Sequence, residues 1–179
     1  MSLTGRATLL LTQLTKLIPD PWSLDVFVDR VARHFGIQIQ IALTPIALAS
    51  DTTGFTWPQG NFYLIVVSAN ISIHEREMTV FHELVHVLLE HPPTMQTEAA
   101  RADLLHVLTD ASEELVSAFT RHIPPDQLAE SQVIFSGHGF DTPEEREAES
   151  VATQLSIAIK QFSRTRSMGT IERLFGDFR

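Results

Sequence analysis

Residues 79–91 read Thr79-Val80-Phe81-His82-Glu83-Leu84-Val85-His86-Val87-Leu88-Leu89-Glu90-His91. At about 100° per residue, His86 lies about 40° from His82, with Thr79 at about 60°, Glu90 at about 80° and Glu83 at about 100°. Val80, Phe81, Leu84, Val85, Val87, Leu88 and Leu89 take the rest of the circumference. The pattern predicts a helix over about 75–90, halted at Pro92-Pro93, that is buried on most sides and polar along one narrow stripe. A fold that accepts this helix must wrap it in apolar neighbours and leave the stripe open.

The stripe holds His82-Glu83-Leu84-Val85-His86, the pattern HExxH. Two histidines four apart stand one above the other on a helix, so both imidazoles can hold a single zinc ion. The glutamate after the first histidine falls beside the ion, where it can act as a general base. The plainer alternative is an amphipathic helix with a solvated polar face, which gives no reason for His, Glu and His in this order.

A catalytic zinc takes a third protein ligand and keeps one position open. His91 misses the spacing HExxHxxGxxH by one residue, Leu89 stands where that pattern has Gly, and an extended wheel puts His91 opposite the stripe. It is expected to help close the helix C-terminus instead. The other source is Thr142-Pro143-Glu144-Glu145-Arg146-Glu147-Ala148-Glu149-Ser150-Val151-Ala152. Thr142-Pro143 starts a helix expected to reach about 162, with a core stripe of Ala148, Val151, Ala152, Leu155, Ile159 and Phe162. Glu144 and Glu145 flank the stripe, while Glu147 and Glu149 point further away. Glu145 fits two roles equally, a zinc ligand or the reciprocal partner of Thr142 in a capping box. His138, between Gly137 and Gly139, is a candidate oxyanion donor. His34, His106 and His122 fall in helical stretches and read as ordinary surface or core residues.

Upstream, a first helix is expected within 4–18, ending at Pro19. A second starts at Ser23, buries Leu24, Phe27, Val28, Val31 and Phe35, and stops at Gly36. Ile37-Gln38-Ile39-Gln40-Ile41-Ala42-Leu43 alternates as a half-buried strand, and 54–57 and 61–67 read as a hairpin across Pro58-Gln59-Gly60. The stretch 94–140 is polar and reads as a helical insertion, 163–169 as a basic turn, and 170–179 as a short tail helix. The fold class is α+β, one domain over 1–179, with a short mixed or antiparallel sheet packed by helices.

Composition narrows the function. The chain has 179 residues, 44 % of them hydrophobic, and no cysteine, which excludes a disulfide framework, a cysteine nucleophile and iron–sulfur ligation. The net charge of −9 argues against direct nucleic-acid binding. No apolar run approaches the roughly 20 residues of a membrane-spanning helix. Leu9-Leu10-Leu11 is too short and too soon interrupted for a secretory core, so the expected compartment is cytoplasmic.

The two helices together resemble the ImmA/IrrE family of metallo-endopeptidases, whose pattern is a hairpin, an HELGH-type helix and a second helix reading E-x-E-A-(N/D)-x-x-A. The resemblance covers about 20–160 and is specific at the two helices. Val85 stands where the family usually has Gly, Glu149 where it has Asn or Asp, and the interval between the helices is long. The resemblance implies a small zincin-like domain with Zn2+ on His82, His86 and Glu145. It implies Glu83 as general base and Glu149 as a carboxylate orienting a ligand histidine. It also implies a protein substrate, extended along the sheet edge, such as a helix-turn-helix repressor encoded nearby. The rival expectation is a regulatory or binding protein on the same fold, with zinc structural or absent.

Overall fold

The computed structural model describes residues 3–44, 53–91 and 142–175, with Gln59 and 165–175 described by backbone alone. The chain order is α1 (Gly5–Lys16), α2 (Leu24–Phe35), β1 (Gln38–Thr44), β2 (Gly54–Gln59), β3 (Phe62–Ser68), α3 (Ile73–Leu89) and α4 (Pro143–Phe175). The architecture is α+β. The expected insertion at 94–140 lies outside the described residues.

Local chemistry sets the helix ends. Ser23 caps α2, and Gly36 ends it in the left-handed region at φ 68°, where a side chain would be strained. Ser72 and Glu75 form a reciprocal capping box on α3: the Glu75 N–H donates to Ser72 Oγ at 3.2 Å, and the Ser72 N–H donates to Glu75 Oε2 at 2.8 Å. At its other end Glu90 turns left-handed at φ 56°, and the His91 N–H donates to the His86 carbonyl at 3.0 Å.

The sheet order is β1-β3-β2, with β1 parallel and β2 antiparallel to β3, so the sheet is mixed. In β1 the glutamines are exposed and Ile39 and Ile41 half-buried, as their alternation predicts. The hairpin is tighter than expected. β2 continues through Pro58 and Gln59, opposite Tyr63 and Phe62, which leaves Gly60-Asn61 as the turn. Proline is accepted there because β2 is an edge strand among the described residues.

Register decides which side of β2 meets α3. Gly54 pairs with Val67 and Thr56 with Ile65, so these four share one face. Ile65 and Val67 belong to the main core with Val80, Leu84 and Val85 of α3, Phe27 and Val31 of α2, Leu10 and Leu14 of α1, and Ala148, Val151 and Leu155 of α4. Trp22, Phe27 and Phe81 interlock, with ring centroids 5.6–6.0 Å apart. Gly54 lets α3 come close: a Cβ there would lie 2.5 Å from Thr79 Cγ2 and 2.7 Å from the Val66 carbonyl oxygen.

α4 corrects one expectation. The turn at 163–169 and the separate tail helix do not form; one helix runs from Pro143 through Phe175. No proline follows Pro143, and Gly169 within a helix costs only about 1 kcal/mol against alanine. Among the described residues, no helix is long and apolar enough to cross a membrane.

Candidate metal centre

The first turns of α4 pack over the C-terminal half of α3. This contact brings a carboxylate down onto the two stacked imidazoles. His82 Nε2 and His86 Nε2 are 3.0 Å apart. Glu145 Oε2 lies 3.2 Å from His82 Nε2, and Glu145 Oε1 lies 3.5 Å from His86 Nε2. Each residue offers one ligand atom, and the three atoms lie within 4.8 Å of one another. Two imidazole nitrogens and a carboxylate oxygen make a donor set suited to a divalent transition metal.

Glu145 meets both the cap of its own helix and the imidazoles of α3. The Glu145 backbone N–H donates to Thr142 Oγ1 at 3.2 Å, so Thr142 does cap the helix. Its carboxylate lies on the imidazoles. Burial works against the Glu145 charge, but the imidazoles of His82 and His86 beside it outweigh that and hold the carboxyl down at about 2. Burial also opposes a charge on His82, yet Glu145, Glu149 and the nearby Glu83 together push it up to about 9. Without a metal, His82 therefore carries a proton where an ion would sit.

Glu83 is fully buried beside the trio. Its Oε2 accepts the Thr56 hydroxyl at 2.7 Å, while Oε1 has no hydrogen-bond partner among the described residues. Burial pushes its carboxyl above the ordinary value, opposed by His82, His86 and Thr56. A buried carboxylate oxygen left unpaired is costly unless the site supplies something for it to bind. The cavity next to it, about 280 Å³, is lined by Thr53, Met78, Thr79, His82, Glu83 and Glu149 among others.

Two carboxylates off the core stripe of α4 also meet histidines. Glu149 Oε2 is 3.6 Å from His82 Nδ1, on the ring side opposite the trio. Glu147 Oε2 lies 3.3 Å from His91 Nε2, and Glu147 also accepts the Thr4 hydroxyl. The core stripe of α4 was drawn from its deeper turns, whereas its first turn overhangs the polar stripe of α3. His91 closes the helix end as expected, its N–H on the His86 carbonyl, but the direction of its ring is corrected. It faces the site, with Nδ1 3.2 Å from His86 Nδ1. The wheel fails there because the helix ends at Leu89 and Glu90 reverses the backbone. A polar residue just past the helix end was the available signal.

His138, His106 and His122 lie outside the described residues. His34 is exposed and packs edge-on against Phe35. In comparisons with protein-family models, curated proteins and solved structures, nothing matched this chain.

Proposed function

We propose that the chain is a zinc-dependent metallo-endopeptidase of the ImmA/IrrE type, with His82, His86 and Glu145 holding the ion. The observation that carries this reading is the convergence of the three ligand atoms within 4.8 Å beside a fully buried Glu83. When bound, zinc supplies Lewis acidity that acidifies water and polarises a carbonyl. Glu83 accepts the proton of the attacking water on Oε1 and hands it to the leaving amine, while Thr56 fixes Oε2. A carboxyl raised by burial is a better proton acceptor near neutral pH than an exposed one. Glu149 holds Nδ1 of His82, which leaves the Nε2 of that ring for the metal. The substrate is a protein, in the first instance a helix-turn-helix repressor encoded beside this chain, and the setting is cytoplasmic.

The test is cleavage of that repressor by zinc-loaded protein, with Glu83→Gln alongside. The wild type should cut, lose activity to a chelator and regain it with zinc. Glu83→Gln should keep about one zinc and cut at least about a hundredfold more slowly, the scale of general-base catalysis. A wild type that retains less than about a tenth of an equivalent after reconstitution would sink the reading, because two imidazoles and a carboxylate should hold zinc well.

A further inference from the structure

We infer that Glu147, His91 and His86 form a relay of hydrogen bonds that presents the Nε2 lone pair of His86 to the metal, making His91 a positioning residue. This deepens the proposed metal site and rests on that reading.

The argument begins at the carboxylate. An ionised Glu147 can only accept hydrogen bonds, and it faces two donors, the Thr4 hydroxyl and His91 Nε2 at 3.3 Å. His91 Nε2 therefore carries a proton. With one proton on the ring, His91 Nδ1 is bare, and it lies 3.2 Å from His86 Nδ1. Two bare nitrogens at that distance would repel, so His86 Nδ1 carries a proton and donates it. In a His86 ring with one proton, Nε2 is then bare, on the side where His82 Nε2 and Glu145 Oε1 stand at 3.0 and 3.5 Å. The links together leave a neutral His86 in the tautomer that a metal ligand requires.

The surroundings hold the relay still. The side chains of His86, His91 and Glu147 are 3 %, 8 % and 18 % exposed, so water competes little for these bonds. His91 is placed by its own backbone, whose N–H closes α3 onto the His86 carbonyl. Arg6 donates to the Leu89 carbonyl at 3.1 Å, and Thr4 caps α1 while donating to Glu147. The N-terminal segment thus braces Glu147 and the turn that carries His91.

Two measurements test this. Long-range nitrogen–proton NMR of the metal-free protein near neutral pH reads the ring protons. The relay requires one proton on His91 Nε2 and one on His86 Nδ1; a proton on His91 Nδ1 overturns it. Zinc competition against a chelating dye gives the second reading. His91→Leu should weaken zinc binding by about 10–100-fold, the usual effect of removing a group that orients a ligand. His91→Asn should recover most of the loss, because an amide oxygen can accept in place of Nδ1. Unchanged affinity in His91→Leu, or equal loss in both variants, overturns the inference. If His91→Leu does not fold, as its metal-free melting would reveal, His91→Asn and the ring protons still decide. If the wild type takes no zinc, the proposed function falls, and the NMR result still decides the relay.

Discussion

Thr56 on the edge strand donates its hydroxyl to Glu83 on the central helix at 2.7 Å, and both residues are completely buried. The bond lowers the Glu83 carboxyl against a burial that raises it. Thr56→Val keeps the shape and removes the donor, so the Glu83 pKa should rise further. The acid limb of the cleavage pH profile should move to higher pH. Leaving the carboxylate with no partner should cost about 1–3 kcal/mol above that pKa. An unmoved acid limb would separate Glu83 from the titrating base.

Glu145 and Glu144 are neighbours of equal charge, but only Glu145 touches the imidazoles. Glu145→Gln should weaken zinc binding by tenfold or more, on the order of the loss of a charged ligand, while Glu144→Gln leaves it unchanged. Helix content by circular dichroism should match in both variants, because the Thr142 hydroxyl bonds a backbone N–H in either case. Glu147 is not an inert control, since it holds His91.

The metal-free protein should have a stability window in pH. His82 sits at about 9 against an ordinary 6.5, so its contribution is whole below 6.5 and is lost as pH rises towards 9. Glu145 sits at about 2 against 4.5, so its contribution is whole above 4.5 and is lost as pH falls towards 2. Glu83 is raised, so its ionisation works against the fold above 4.5. The chelated protein should therefore melt higher at about pH 6 than at about pH 9. Zinc should narrow that gap by replacing the proton on His82. A metal-free melting temperature that climbs between those pH values would contradict this account.

Gly54→Ala should drive β2 from α3, because its Cβ would meet Thr79 Cγ2 at 2.5 Å and the Val66 carbonyl oxygen at 2.7 Å. The expected loss is about 1–3 kcal/mol, as for other overpacked cores. Thr79→Ser removes the offending methyl but keeps the hydroxyl that donates to Thr53 at 2.9 Å. Adding it to Gly54→Ala should restore part of the loss, measured by denaturant unfolding. An alanine variant as stable as wild type would mean the strand and helix can part without cost.

Much of this arrangement was legible in short-range pattern. Ile39 and Ile41 against Gln38 and Gln40, the caps at Ser23 and Gly36, and His82 with His86 on one face each depend on a few neighbouring residues. The failures lie where distant segments meet or a helix ends. Whether Glu145 serves its own helix or two histidines depends on how α4 packs on α3. His91 was misplaced because the helical repeat was carried past Leu89, and the Glu90 backbone turn breaks that repeat. The length of α4 was underestimated because Ser163 to Gly169 has turn-like composition but contains no residue that forbids a helix.

The ligand trio draws two ligands from one helix and the third from a residue 59 positions further on (145 − 86), the start of α4. An ion held there would be a clasp across a long stretch of chain, and closing a long loop is where such a clasp stabilises most. Thermodynamic reciprocity then couples two events. Metal binding favours the docking of α4 on α3, and anything that levers α4 away lowers metal affinity by the same factor. A partner that grips the exposed side of α4 could therefore unload the centre without touching a single ligand.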